Sequence, residues 1–142
     1  MSGTPETILA FDFGLRRIGV AVGQQVTASA SPLGCVANGE RGPDWAAIAA
    51  LVHDWQPARI IVGIPLNVDG TPASLTARVV EFANEFGRFD LPVETEDERY
   101  SSLEAEARLR SERAQGLRGR INKDMIDSAA ATLIAERWLA RK

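Results

Sequence analysis

The sequence predicts an α/β fold on a five-stranded mixed sheet, an antiparallel meander of three strands followed by two parallel ones, flanked by helices. Three observations predict it. Apolar runs at residues 7–13 and 17–23, joined by Gly14-Leu15-Arg16, read as a hairpin, since small and apolar residues alternate on either side of a tight turn. The short run Arg59-Ile60-Ile61-Val62-Gly63, bounded by breakers, has the composition of a strand buried on both faces, as parallel strands are. After residue 43 helical and extended patterns alternate, which calls for crossover connections and parallel pairing.

The elements follow in order. A third extended stretch, about Ala28 to Val36, continues the meander and is interrupted or edged at Pro32 and Gly34. Pro43-Asp44 opens a helix with Trp45, Ile48, Leu51, Val52 and Trp55 on one face, and Pro57 ends it. Thr71-Pro72 reads as the start of the next helix, with Pro at the first helical position, and Leu75, Val79, Phe82, Ala83 and Phe86 are spaced for the core. Gly87 and Pro92 bracket a turn before a fifth strand from Val93 to Asp97. Ser101 and Glu104 fit a capping box, the hydroxyl meeting one backbone amide and the carboxylate reaching back to another. A last helix spans about Lys123 to Leu139. In such sheets ligands gather at the carboxyl ends of the parallel strands, near the switch in strand order; the first strand ends close to Asp12 and the last close to Glu98.

Composition bounds the chemistry. The 142 residues, 45% apolar and 25% charged, suit one domain over the whole chain, with a core from about residue 7 to 139. No apolar run is long enough to span a membrane, and the first residues lack a basic stretch followed by an apolar one, so a cytoplasmic protein is expected. Cys35 is the only cysteine and His53 the only histidine, which excludes an internal disulfide and a Cys/His zinc site and leaves oxygen ligands for any metal. Cys35 suits a strand or small core position, and His53 a helix surface. The net charge of -3 argues against a protein that coats nucleic acid, but the charge is uneven. Residues 1–98 carry 6 Lys/Arg against 13 Asp/Glu, and residues 99–142 carry 10 against 6. Arg108, Arg110, Arg113, Arg118, Arg120 and Lys123 face a single acid, Glu112, in that stretch; this is either a solvated helix face or a surface for a polyanion.

Asp12 sits within an apolar strand pattern, where an ionised carboxylate is costly unless a cation, hydrogen bonds or the open end of the sheet receives it. It can cap the Gly14–Arg17 bend or act as a functional acid. Asp127 shares a helix face with Ala131, Ile134 and Trp138, an inward stripe. Asp124, one turn earlier, fits better as the acid favoured by the helix dipole. If the first strand, the end of the fifth and the start of the last helix converge, Asp12, Glu98 and Asp127 form an acidic cluster. Their mutual repulsion makes sense if divalent cations neutralise it. Mg²⁺ or Mn²⁺ held this way points to phosphodiester chemistry.

Asp12-Phe13-Gly14 with Arg17-Ile18-Gly19-Val20-Ala21, Val62-Gly63-Ile64-Pro65-Leu66-Asn67 with Gly70, Asp97-Glu98-Arg99 with Ser102 and Glu104-Ala105, and Ile126-Asp127-Ser128-Ala129-Ala130 resemble the successive motifs of the YqgF/RuvX family. The resemblance runs from about Ile8 to Trp138. It implies a ribonuclease H-like fold and a nuclease with Asp12, Glu98 and Asp127 as catalytic acids and metal ligands for Mg²⁺ or Mn²⁺. The family is described as a pre-16S rRNA 5′-end nuclease and as a Holliday junction resolvase. Arg17, Asn67, Arg99 and Lys123 are similar to its polar positions around the cleft, and Arg118 and Arg120 join them as phosphate contacts from the basic segment; Asn67 also suits a plain turn residue. Tyr100-Ser101-Ser102 departs from the more usual aliphatic residue and threonines, although a hydroxyl is kept.

The resemblance implies nucleic acid as partner, pre-rRNA first and branched DNA as the alternative, with ribosomal particles as the setting. The protein would be a monomer or a homodimer, the latter being what a resolvase needs to cut two strands. A nucleic-acid-binding module without chemistry is a third class, disfavoured because an acidic cleft repels phosphate unless metal is present. An actin-type or sugar-kinase-type ATPase needs two such domains, and 142 residues supply one.

Overall fold

The computed structural model of the chain describes residues 4–67, 69–99, 101–116 and 122–141, without the side chains of 101–103, 123 and 124. Its elements are β1 (Thr7–Phe13), β2 (Arg17–Gln24), β3 (Ser29–Gly39), β4 (Gly42–Pro43), α1 (Trp45–Trp55), β5 (Arg59–Ile64), α2 (Thr76–Glu85), β6 (Val93–Asp97), α3 (Ser101–Ala114) and α4 (Lys123–Ala140), with a 3₁₀ turn at Phe86–Phe89. The sheet order is β4-β3-β2-β1-β5-β6. β1, β2 and β3 form the antiparallel meander, while β5 pairs parallel to β1 and β6 parallel to β5.

The sheet has six strands where five were expected. The addition is the two-residue β4, which pairs with Asn38 and Gly39 where β3 runs on past Val36. Pro32 and Gly34 mark a β-bulge: the register of β2 and β3 shifts between Val20 and Ala21, leaving Leu33 unmatched.

Strand alternation sorts β1 onto two layers. Leu9, Phe11 and Phe13 join Ile48, Val79, Phe82 and Phe86 in the larger core, beneath α1 and α2. Ile8 and Ala10 face α4 instead, against Ile61, Ile134 and Trp138. Each of these fully buried large side chains contributes about 1.5–3 kcal/mol, so α4 is seated firmly. Asp12 continues the Ile8, Ala10 series and therefore looks toward α4 too.

One expectation about helices needs correction. Thr71-Pro72 does not open α2, which begins at Thr76. The loop before it closes on itself: Leu66 bridges Pro72, and Asp69 Oδ1 accepts from the Thr71 amide at 2.9 Å. This Asx turn competes successfully with helix initiation. In α3 the Glu104 carboxylate accepts from Arg137 Nη2 at 2.7 Å; the Ser101 side chain, the other half of the expected capping box, lies outside the described residues. Asp44 caps α1 as expected, accepting from the Ala47 amide at 3.1 Å, while Trp55 at its far end is exposed. Cys35 lies half-buried in β3, and His53 is exposed beside Asp54.

The seating of α4 depends on Gly19. A Cβ there would stand 2.1 Å from the Asp127 carbonyl oxygen, so only hydrogen lets the helix backbone rest on β2. Ser128 pins the same contact: its buried Oγ donates to the Val20 carbonyl at 3.1 Å and accepts from the Gly34 amide of the bulge at 3.0 Å. Gly19→Ala is expected to destabilise the fold by about 2–3 kcal/mol through overpacking. Denaturant unfolding checks it, and an unchanged midpoint would mean that α4 does not rest on this residue.

Candidate catalytic site

The three acids singled out from the sequence arrive at one end of the sheet by separate routes. Asp12 is near the end of β1, paired in register with Gly19. The Asp127 carbonyl covers that same glycine. Glu98 follows β6 and extends its pairing by one residue, its amide donating to the Ile64 carbonyl at 3.1 Å. Alternation along β6 puts Glu94, Glu96 and Glu98 on the α4 face. Glu94 accepts from Trp138 Nε1 and from Arg59, and Glu96 accepts from Arg141. Glu98 alone of the three points to another acid. A Cβ on Gly63 would lie 2.9 Å from Glu98 Oε2, so the glycine makes room for that carboxyl.

Glu98 and Asp12 are hydrogen-bonded to each other. Desolvation, the hydrogen bond to Asp12 and the Asp12 charge push the Glu98 carboxyl from 4.5 up to about 10. Asp12 is raised as well, by burial first and by the charge of Asp127, against the lowering effect of its bond to Glu98. Burial thus favours the protonated form of both carboxyls, Glu98 most clearly, and the hydrogen bond between them runs from Glu98 to Asp12. Asp127 stands slightly apart, its Oδ2 receiving Arg17 Nε at 3.1 Å. Both side chains are about a third exposed, at 33% and 29%, which limits such a pair to about 1 kcal/mol.

Among the described residues no three acidic, histidine or cysteine side chains meet as a metal-ligand group as they stand. Asp127, paired with Arg17, still lies near enough for its charge to raise the Asp12 carboxyl. The donor set fits a hard divalent cation: two desolvated carboxyls in contact with each other, with a third carboxylate near them.

Around the acids, Arg99 is forked onto Asp97, with Nε at 2.8 Å and Nη2 at 2.7 Å from Oδ2. This bond, above all, holds the Asp97 carboxyl below its ordinary range. The Arg99 guanidinium also reaches the 64–72 loop, where a Cβ on Gly70 would be 3.6 Å from Nη1. Asn67 takes the turn position that was one of its two expected places: its Nδ2 donates to Thr71 Oγ1 at 3.0 Å and to the Pro72 carbonyl at 3.2 Å, closing the loop that borders Arg99. The basic segment is partly neutralised, Arg108 by Glu136 and Arg110 by Glu106. Arg118, Arg120 and the Lys123 side chain lie outside the described residues. A groove of about 460 Å³ between β3, α3 and α4 includes none of the three acids in its lining.

Arg137 was not anticipated. From α4 it donates to the Asp97 carbonyl at 3.3 Å and to Glu104, and its charge lowers the Glu98 carboxyl. Only its spacing of ten residues from Asp127, about three helical turns, hinted at a shared face. Arg137→Ala is expected to leave Glu98 holding its proton harder. Half-saturation by Mn²⁺ should then need about three- to tenfold more metal. A metal titration of binding reads this, and an unchanged midpoint would remove Arg137 from the site.

Comparison with known proteins extends the picture. The model of the RuvX family, described as Holliday junction resolvase, matches residues 6–141. An Azotobacter vinelandii protein named "Putative pre-16S rRNA nuclease" is 46% identical over 145 residues, covering 100% of this chain and 98% of its own. A Cronobacter sakazakii protein of the same name is 50% identical over 139 residues, covering 97% and 96%. Among solved structures, Thermus thermophilus RuvC in complex with Holliday junction substrate matches with a TM-score of 0.55 at 16% identity, over 95% of this chain and 94% of that one. That likeness speaks for the fold, which is ribonuclease H-like.

Proposed function

The chain belongs to the RuvX family, and from that premise we propose that it is a nuclease hydrolysing phosphodiester bonds in structured nucleic acid. Its substrate in this reading is the 5′ region of precursor 16S rRNA, met in the cytoplasm on ribosomal particles, and its cofactor is Mg²⁺ or Mn²⁺. The observation that carries the reading is the buried Asp12–Glu98 pair of carboxyls in contact at the sheet end, with Asp127 near them. A structural ion pair would carry a cation in that position. Two facing acids beside a third suit a site completed by something positive from outside. The substrate class is supported by relatives named for pre-16S rRNA over nearly their whole length.

Asp12 and Glu98 would hold the ion, with Asp127 as the third ligand. A divalent cation supplies a water made acidic enough to attack near neutral pH and neutralises charge on the phosphate. The protein's own residues do the rest. Glu98, raised in the metal-free protein, would have to lose its proton to solvent to serve as a ligand. Arg17 holds Asp127 until substrate arrives, and then a phosphate oxygen competes for its guanidinium; a pair about a third exposed and worth so little is readily exchanged. Arg99, fixed by Asp97, offers a second cation at a set position, and the loop closed by Asn67 borders it. Lys123, one turn before Asp127, and Arg118 and Arg120 would contact phosphates farther along.

A four-way DNA junction is the second reading, favoured by the description of the family. It asks for a homodimer. One assay separates the two: purified protein with Mn²⁺ or Mg²⁺ against a precursor 16S rRNA 5′ fragment and a four-way DNA junction. Cleavage of the RNA is expected. Cleavage of the junction alone moves the assignment to the second reading, and folded protein that cuts neither overturns both.

A further inference from the structure

We propose that the turn joining β1 to β2 is a substrate-reading element, Leu15 acting as an apolar wedge against a base step beside the scissile phosphate and Arg16 holding a neighbouring phosphate. The inference rests on the nuclease reading above and adds to it a device for opening paired nucleic acid.

The turn is built as a rigid mount. Asn38, only 5% exposed, donates from its side chain to the Gly14 carbonyl at 2.6 Å, and its own amide donates to the Arg16 carbonyl at 2.9 Å. A Cβ on Gly14 would lie 2.4 Å from the Arg17 carbonyl oxygen, so the chain cannot tighten this way with another residue. Phe13 paired to Ile18 closes the hairpin behind it. Both flanks of Leu15 are thus clamped by one buried side chain and its backbone.

What this mount presents is unusual for a turn. Tight turns favour Gly, Asn, Asp and Ser, yet the tip carries Leu15 at 59% exposure and an exposed Arg16. A single exposed aliphatic residue is ordinary by itself. Its place gives it meaning. Leu15 is three residues from Asp12, so their Cα atoms are at most about 11 Å apart. Stacked bases advance about 3.4 Å along a strand, which brings the tip within about three base steps of a phosphate at the acids. The two arginines divide: Arg17 turns to Asp127, whereas Arg16 makes no ion pair among the described residues. An apolar tip beside a cation on a rigid support matches the way proteins pry base steps apart, by inserting an aliphatic side chain between bases while cations hold the backbone.

The test uses the full-length protein and a series of RNA hairpins in which 2-aminopurine is moved one nucleotide at a time across the boundary of single strand and duplex. In EDTA, so that nothing is cut, wild-type binding should raise the fluorescence at one or two adjacent positions. Leu15→Ser should lose that rise while binding within about threefold of wild type, and Leu15→Met should keep it. In the metal-containing arm, Leu15→Ser should cut a paired step about tenfold more slowly, and a mismatch at that step should restore the rate. Arg16→Ala should weaken binding to all hairpins alike and lower the salt slope by about one. Fluorescence that does not rise for wild type, or rises equally for Leu15→Ser, overturns the wedge, as does an equal loss on paired and mismatched steps. A wild-type fluorescence rise that Leu15→Ser loses, with no cleavage by either protein, keeps the wedge and overturns the nuclease reading instead.

Discussion

Asp12→Asn should slow cleavage by about a thousandfold or more while raising the melting temperature of the metal-free protein. The two effects have one cause. An amide keeps the shape of the side chain and can still accept the proton that Glu98 donates, but it no longer supplies charge to hold a divalent cation or to position the attacking water, a loss of the size seen when charge-stabilising groups are removed. Asp12 is also a burial cost: its carboxyl is pushed up by desolvation and by Asp127, and asparagine removes that penalty. Single-turnover cleavage in Mn²⁺ and thermal unfolding in EDTA read the two halves. A rate within tenfold of wild type would end the role of Asp12 in catalysis. A lower melting temperature without metal would mean that the carboxylate is structural.

The stability of the metal-free protein should fall as pH rises, most steeply through the neutral range, and Glu98→Gln should flatten that dependence. The folded Glu98 carboxyl lies well above its ordinary value, at about 10 against 4.5, so the native state binds the proton more tightly than the unfolded chain does. Its contribution is complete below about pH 4.5 and is lost progressively as pH climbs toward 10. At pH 7 the unfolded carboxyl is ionised and the folded one is not, which caps the cost at about 3 kcal/mol. A bound cation takes the place of the proton, so the stabilisation by Mn²⁺ should grow with pH and be nearly absent in the variant. Urea unfolding between about pH 5 and pH 9, with EDTA or Mn²⁺, measures both trends. Stability that rises over that range without metal would show that the Asp12–Glu98 proton is not held in the native state.

Much of the fold was legible because the hydrophobic pattern speaks directly about strands and helices. The hairpin, the buried β5, α1 with its Asp44 cap and α4 with its inward stripe all appear where periodicity and caps place them. The misses have local causes. β4 is two residues long, too short for any pattern. The start of α2 was displaced because Pro72, well suited to a first helical turn, is held in a loop closed by Asp69, Asn67 and Thr71. The Arg137–Glu104 contact joins two helices far apart in the chain, so no local pattern announces it.

The acids were visible individually, as carboxylates in apolar surroundings, and local chemistry was enough to mark them as costly. What no local pattern contains is their relation. Whether Glu98 meets Asp12 or an arginine depends on which strand neighbours β1, and β5 alone intervenes between β1 and β6. Whether Asp127 joins them depends on how closely α4 can approach β2, which is set by the missing Cβ of Gly19. Side-chain pattern and cost are properties of short stretches of chain, so the sequence determined the elements and the suspect residues. Strand pairing, the meeting of Asp12 with Glu98 and the Arg17–Asp127 contact join residues as far as 110 positions apart, and only the tertiary structure could decide them.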